Sequence, residues 1–188
     1  MKESTICMAA GLLLVLAALL LTGYNLWDEQ RAGQTAAQTL PTLQQTTSEA
    51  ATNAEPSTEE TMPTAEVDGL RYVGTIELPT LGLTLPVLET CTDANLKNAP
   101  CVYAGTAYKP GFVVAGHNYK CHFGRLDRLS VGDEAIFTDM EGRRFTYTMA
   151  EQTTLNAADT AAMTAVDWPL TLFTCALDGR QRITVRFN

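Results

Sequence analysis

An uninterrupted apolar run near the amino terminus is the strongest hydrophobic feature of the chain. No charged side chain occurs from Ser4 to Trp27, and residues 11–22 are mostly Leu and Ala. A helix rises about 1.5 Å per residue, so about 20 apolar residues cross the hydrocarbon layer of a bilayer. The run therefore predicts a transmembrane helix within residues 1–30.

A cleaved signal peptide is the alternative interpretation of this run. A signal peptide has a shorter apolar core and a small-residue cleavage site, whereas here the core is followed by Tyr24 and Trp27, which suit the membrane–water boundary. Lys2 precedes the run, and Asp28 and Glu29 follow it. This charge pattern favours an uncleaved anchor with a cytoplasmic amino terminus and an exported body.

The next segment, residues 31–66, is rich in Thr, Ala, Gln, Glu, Ser and Pro and has few large apolar side chains. Such a composition buries too little surface to offset its ordering entropy, so a disordered linker is predicted. Much of the net charge of −8 lies in the linker and its flanks, and the sign argues against nucleic acid as a partner. Residues 67–188 remain for one folded domain.

Within this domain the pattern changes to short apolar and β-branched segments separated by turns, many of them containing Gly. These segments are residues 72–77, 83–88, 111–115, 134–138, 144–149, 170–174 and 182–186. Short strands at this spacing predict an all-β sandwich or barrel. Residues 94–99 and 156–165 are the two places where short helical turns are expected.

Cysteine and histidine limit the chemistry that the domain can perform. The five cysteines are Cys7, Cys91, Cys101, Cys121 and Cys175. Disulfides are permitted in an exported domain, and Cys91 and Cys101 can pair across the loop between them, although spacing does not decide this. There is no Cys-x-x-Cys pair and the only histidines are His117 and His122, so we expect no metal site and no cofactor.

Cys175 and His117 each stand where an apolar segment gives way to a loop. A lone Cys in a strand is often a buried structural residue, and a His at a strand end often only bonds to backbone. Together, however, they would supply a thiol nucleophile with its acid and base. His122 competes for the histidine role, but its polar surroundings, residues 120–124, predict a surface loop.

Arg182 opens the last apolar segment, directly after the turn that follows Cys175. Most arginines at strand starts are solvated. A hairpin would nevertheless place this one beside the Cys strand, where a fixed cation stabilises charge on an acyl oxygen. Arg180 and Arg186 are the alternatives for this role.

These motifs together resemble those of the sortase family. Thr171-Leu-Phe-Thr-Cys175 resembles the sortase signature Thr-Leu-x-Thr-Cys, Ala115-Gly-His-Asn118 resembles the family's His motif, and Arg182-x-x-Val185 resembles the strand that carries its Arg. Residues 123–133 are similar to the Phe-x-x-Leu and Gly-Asp features that follow the His. The resemblance extends from Leu70 to Asn188, and an anchor followed by a polar stalk is the family's usual layout.

The resemblance implies an eight-stranded β-barrel with short helices and a cell-wall sorting reaction at a Gram-positive-type surface. Cys175 would attack the Thr carbonyl of a Leu-Pro-x-Thr-Gly-like signal on a surface protein, and an amine of peptidoglycan or of a pilin would then accept the acyl group. His117 would move protons and Arg182 would hold the oxyanion. We also expect Thr174 and Ala115, which belong to the same motifs, to contact substrate.

Other interpretations fit the sequence less well. An L,D-transpeptidase would resemble Ser-His-Gly-Cys at the nucleophile, and papain-like peptidases carry Cys before His, whereas here His117 precedes Cys175. A catalytically inactive, anchored β-barrel binding module would require all three motif matches to be accidental. Residues 149–170 are too few for the long helix that is typical of class B sortases. A second, C-terminal apolar segment, which class C sortases carry, is not expected in this sequence. The class therefore stays open.

Overall fold

The computed structural model describes residues 2–53, 61–176 and 179–188. The α-helices in this part of the chain are α1 (Lys2–Asn53), α2 (Asp93–Leu96) and α3 (Thr160–Met163), and single 3₁₀ turns occur at Pro79–Leu81 and Leu126–Arg128. The strands are β1 (Ala65–Val67), β2 (Leu70–Leu78), β3 (Leu83–Leu88), β4 (Cys101–Ala104), β5 (Phe112–Gly116), β6 (Glu134–Asp139), β7 (Arg144–Asn156), β8 (Leu170–Cys175) and β9 (Gln181–Phe187).

Eight of these strands form a closed barrel. The ladder runs β2-β3-β4-β5-β8-β9-β7-β6 and closes because β6 also pairs with β2, while β1 pairs with β2 outside the ring. Neighbouring strands are antiparallel except β3 with β4 and β5 with β8. The predicted eight-stranded β-barrel is confirmed, and closure leaves its eight strands without a free edge.

The barrel interior is filled by large apolar side chains from many strands. Ile76, Phe112, Phe137, Leu172 and Phe187 are all completely buried. The rings of Phe112 and Phe137 meet edge to face with centroids 5.0 Å apart, a favoured aromatic geometry. Strand β8 is buried along its length up to Cys175, which is why it carries no charged residue and its polar side chains are the buried Thr171 and Thr174.

The amino-terminal half of α1 exposes its apolar side chains. Leu14 is 73% exposed and Leu20 is 75% exposed, and the most apolar window of the helix has none of its residues buried in the protein. The helix is long and apolar enough to cross a membrane. Such a surface is unstable in water, so the structure supports the predicted membrane span.

The carboxyl half of α1 differs from the disordered linker predicted there. The helix continues through Asn53, and Ala32, Ala36, Thr39 and Leu43 are buried where it contacts β1 and β3. These four residues recur at spacings of four, three and four, which places them on one helix face. Small side chains on this face let the helix pack closely despite the polar composition. Of the remaining predicted linker, residues 54–60 lie outside the described residues.

Smaller differences concern short elements. Neither β1 nor β4 was predicted, because each has only three or four residues and too short a pattern to recognise. Strand β7 extends to Asn156, so the helix expected over 156–165 is reduced to the single turn α3. Helix α2 falls at the expected place, and the described connection from β7 to β8 contains no long helix.

Candidate active site

The three residues singled out for chemistry lie at one end of three adjacent strands. Strands β5 and β8 are parallel, with Gly116 opposite Thr174, so His117 and Cys175 follow at the same end. Strands β8 and β9 are antiparallel, and Cys175 is the register partner of Arg182. Parallel pairing followed by antiparallel pairing thus brings together residues from three separate segments.

All three residues line one cavity of about 620 Å³ at this end of the barrel. Its walls also include Leu96, Tyr103, Met163 and Phe173, so it joins an apolar surface to the polar groups. Cys175 is exposed there, as a nucleophile must be. Of the two residues expected to contact substrate, Ala115 lies in the cavity wall. Thr174 is fully buried, and its hydroxyl has no hydrogen-bond partner among the described residues.

The imidazole of His117 is held by stacking. Its ring lies 3.9 Å from the ring of Tyr119 at an angle of 12°, and its buried Nδ1 has no hydrogen-bond partner in the described part of the chain. Burial lowers the pKa of His117, with the nearby carboxylate of Asp28 opposing this effect and Lys97 adding to it. A low pKa favours the neutral ring, the form that accepts a proton as a base.

Hydrogen bonds connect helix α1 to the loop that follows His117. The Tyr119 hydroxyl donates a hydrogen bond to the Asp28 carboxylate, and the Lys120 backbone N–H donates to Oε1 of Glu29 at 2.7 Å. The Cys121 thiol donates to the Glu29 carbonyl at 3.4 Å. The end of the predicted span therefore contacts the loop that carries the candidate acid–base residue.

A second cavity, of about 580 Å³, lies between α1 and the barrel. Thr22, Asn25 and Leu26 of α1 line it together with His117 and Cys175. The candidate active site is thus bordered by the last turn of the apolar helix segment. This arrangement places the site close to the membrane surface if the helix spans a bilayer.

Close packing explains the glycines in the segment around His117, residues 116–124, which we call the His loop. A Cβ on Gly116 would lie 2.4 Å from the ring of Phe123, and a Cβ on Gly124 would lie 2.7 Å from the Tyr119 carbonyl oxygen. The loop closes with the Phe123 N–H donating to the His117 carbonyl at 3.2 Å. Glycine next to the candidate His is required because an aromatic ring packs against the backbone there.

The surface position expected for His122 is wrong. Its side chain is completely buried beside the ring of Tyr119, with centroids 5.5 Å apart. Neither ring nitrogen has a hydrogen-bond partner among the described residues, and burial lowers its pKa from 6.5 to about 4. The polar sequence around His122 concealed this burial, which depends on the loop folding back over the ring. His117 is therefore the histidine at the cavity.

The depressed pKa of His122 predicts an acid-sensitive fold. The unfolded chain protonates this His below pH 6.5, whereas the folded chain resists protonation until about pH 4. Above pH 6.5 the ring is neutral in both states, so the stability that it contributes is complete. As the pH falls toward 4, the free energy of unfolding decreases by about 2 to 3 kcal/mol. Urea unfolding at pH 7 and pH 4.5 should show this loss in the native protein and a smaller loss in His122→Phe. Equal losses in both would contradict the assignment.

Arg182 and Arg186 occupy different environments on β9. The Arg182 Nη1 donates to the carbonyls of Gly179 at 3.0 Å and of Gln181 at 3.1 Å, which holds the side chain at the turn beside Cys175. Arg186 points elsewhere: it pairs with Glu151 at 3.4 Å and donates to the Ala162 carbonyl. Of these two, only Arg182 lies at the cavity.

Comparison with known proteins agrees with this arrangement. A family model of the sortase domain matches residues 76–187, which include His117, Cys175 and Arg182. The chain belongs to the sortase family. Sortases are transpeptidases, and no sequence among the curated proteins matches this sortase.

Solved structures of other sortases share the fold. The sortase D5 transpeptidase of Clostridium perfringens is 23% identical, with 77% of this chain and 96% of that chain covered and a TM-score of 0.59. Sortase A of Listeria monocytogenes is 23% identical over 62% and 87% of the two chains, with a TM-score of 0.56. A C. perfringens sortase C with the C-terminal cell wall sorting motif is 16% identical over 79% and 85%, with a TM-score of 0.57. At these identities the likeness concerns the fold.

Sequence reasoning missed two parts of this sortase's site. Tyr119 lies only two residues from His117, but nothing in the local pattern indicates that its ring stacks on the imidazole. Asp28 and Glu29 are 91 residues from their partners in the loop, so no local signal connects them. The spacing of Ala32, Ala36 and Leu43 was the one available sign that α1 continues past its apolar segment and packs against the barrel.

Proposed function

We propose that this sortase is a cysteine transpeptidase that cleaves an LPxTG-like sorting signal between Thr and Gly. The acyl group passes to an amine of peptidoglycan or of a pilin. The observation that supports this proposal is the convergence of Cys175, His117 and Arg182 on one cavity from three adjacent strand ends. A thiol nucleophile, an imidazole acid–base and a guanidinium that stabilises the oxyanion can together carry out acyl transfer through a thioester.

The proposed reaction has two halves that use the same three side chains. His117 takes the proton of the Cys175 thiol, the thiolate attacks the Thr carbonyl carbon, and Arg182 stabilises the negative charge that develops on the carbonyl oxygen. His117 protonates the Gly nitrogen as the C–N bond breaks, which leaves a thioester on Cys175. The acceptor amine then attacks the thioester, His117 takes its proton, and the thiolate leaves.

The cavity suits the apolar part of a sorting signal. Tyr103 and Phe173 meet edge to face with ring centroids 5.1 Å apart, and Leu96 and Met163 extend the same apolar surface. Burying a Leu side chain contributes about 2 kcal/mol, so such a wall can hold the Leu-Pro portion of a signal. Substrates would be surface proteins that carry this signal at their carboxyl terminus.

We further propose that the protein crosses the cell membrane once, with its amino terminus in the cytoplasm and its barrel outside. The apolar surface of α1 and the charges at its two ends support this orientation. A membrane-impermeant maleimide added to cells without walls should modify Cys175, because that thiol is exposed at the cavity. The Cys175→Ala variant is the control for labelling at this position. Modification of Cys175 only after cell lysis would place the barrel in the cytoplasm.

A transpeptidation assay tests the proposed function directly. The full-length protein in detergent is incubated with a library of sorting-motif peptides and an amine acceptor, and the products are identified by mass. The expected product joins the peptide's Thr to the acceptor, with Gly released. If no peptide yields a product or a thioester on Cys175, the proposed sorting reaction is wrong, and the alternatives are another exported cysteine peptidase or a binding module.

Replacing Arg182 by Ala is expected to lower turnover about a hundredfold or more, because the developing oxyanion loses its fixed charge. Arg182→Lys keeps the charge but loses the planar fork, so it should retain a measurable fraction of activity. Alkylation of Cys175 should persist in both variants, since the thiol is intact. Turnover and alkylation rate are measured on the same preparations.

Arg180→Ala and Arg186→Ala identify which arginine acts. Arg180 is the matched control because it lies two residues away, near the same turn. Arg186 tests the far end of β9. If either variant loses a hundredfold while Arg182→Ala stays active, the oxyanion charge has been assigned to the wrong residue.

A further inference from the structure

Two cysteines meet at the ends of the loop between β3 and β4. Leu88 and Cys101 are register partners, and the Leu88 N–H donates to the Pro100 carbonyl at 2.9 Å, so the strands hold the loop ends together. Cys101 is completely buried, and Cys91 is partly buried against the same cluster of core residues. The two side chains therefore pack together beside the paired ends of β3 and β4.

The two thiols differ in exposure and acidity. Cys91 lines the catalytic cavity, and the neighbouring Cys101 thiol lowers its pKa. The neighbouring Cys91 thiol and burial raise the pKa of Cys101, whose thiol donates to the Ala99 carbonyl at 3.3 Å. Of these two thiols, Cys91 is therefore the one that a reagent entering the cavity meets first. It is also the more readily ionised of the two.

We propose that Cys91 and Cys101 form a disulfide outside the cell, and that this crosslink fixes one wall of the catalytic cavity. The oxidant is a disulfide compound. The Cys91 thiolate attacks one of its sulfurs and displaces the first thiol. Cys101 then loses its proton and attacks the Cys91 sulfur, which releases the second thiol and completes the bond.

The crosslink would restrain a loop whose hydrogen bonds lie largely within the loop itself. Helix α2 has four residues and buries none of them, the Thr92 hydroxyl accepts from the Asn95 N–H at 3.1 Å, and the Asn95 side chain donates to the Thr90 carbonyl at 2.8 Å. Thr92, Leu96 and Lys97 of this loop nevertheless form part of the cavity wall. A bond across the ends of the loop reduces its conformational freedom and so preserves the shape of the wall.

The crosslink would also protect the candidate nucleophile. Cys91 and Cys175 line the same cavity, so a free Cys91 is the thiol available there to oxidise with Cys175. Pairing Cys91 with the buried Cys101 removes that competitor and leaves Cys175 as the reactive thiol. This consequence rests on the proposed transpeptidase function, whereas the crosslink itself does not.

Peptide mapping tests the bond without reference to activity. The full-length protein and its Cys175→Ser variant are equilibrated with oxidised glutathione in detergent, and free thiols are then blocked with N-ethylmaleimide. Trypsin cuts after Lys97, between the two cysteines, so the bond joins peptide 72–97 to peptide 98–120. These peptides should be found linked in both proteins and should separate on reduction. Recovery of Cys91 and Cys101 as blocked thiols, or of Cys91 linked to Cys175, would overturn the proposal.

Kinetics test what the bond does. Under oxidising conditions Cys91→Ser and Cys101→Ser should each show a KM about threefold or more above that of the native protein, with cleavage of the folded protein at Lys97 about tenfold faster. Cys121→Ser is the control and should match the native protein. If the linked peptides form but the variants keep the native KM and cleavage rate, the crosslink does not shape the cavity. If no preparation turns over substrate, the proposed function fails while the mapped bond stands.

Discussion

Cys175→Ala is expected to abolish both peptide cleavage and acyl-enzyme formation. The thiolate of Cys175 is the proposed nucleophile, and an alanine methyl group cannot form the thioester on which both halves of the reaction depend. The residue is exposed at the end of β8, where the cavity gives substrate access to it. Mass spectrometry of the protein after incubation with a sorting peptide measures the acyl-enzyme, and product analysis measures turnover.

Cys121→Ala is the matched control for this experiment. Its thiol is partly buried, donates to the Glu29 carbonyl and lines neither of the two cavities at Cys175, so the variant should retain substantial activity. An inactive Cys121→Ala together with an active Cys175→Ala would show that the nucleophile is misassigned. Loss of activity in both would instead indicate that contact between α1 and the His loop is itself required.

His117→Ala is expected to lower turnover about a thousandfold, within the range that general acid–base catalysis contributes. The variant loses both the acid that expels the Gly amine and the base that activates the incoming amine. Turnover is measured from pH 5 to pH 9, since activity that depends on imidazole ionisation should disappear with the ring. The native protein should show an ionisation below the ordinary His value, because burial lowers the pKa of His117.

His122→Phe is the control for the histidine role. His122 is buried, and its ring nitrogens have no hydrogen-bond partners among the described residues, so an aromatic replacement removes no such bond there. This variant should keep most of its activity at pH 7. If the dependence of turnover on pH changes more in His122→Phe than in His117→Ala, His122 rather than His117 is the acid–base residue.

Local sequence was sufficient for most of the strands and for the candidate chemistry. The largely apolar, uncharged segments that end at Cys175 and near His117 became the adjacent strands β8 and β5, because a strand buried on both faces is recognisable from such a segment. The number of strands in the barrel came from resemblance to the sortase motifs. The order in which the strands pair, with β5 beside β8, could not be predicted from any single segment.

Features that depend on contacts between distant residues emerged only from the folded chain. The docking of α1 joins Asp28 to Tyr119, the contact between Cys91 and Cys101 depends on β3 pairing with β4, and His122 is buried because its loop folds over it. In each case the local composition was polar or ambiguous. Whether a side chain is buried depends on which residues pack against it. In each of these cases the packing partner came from a different part of the chain.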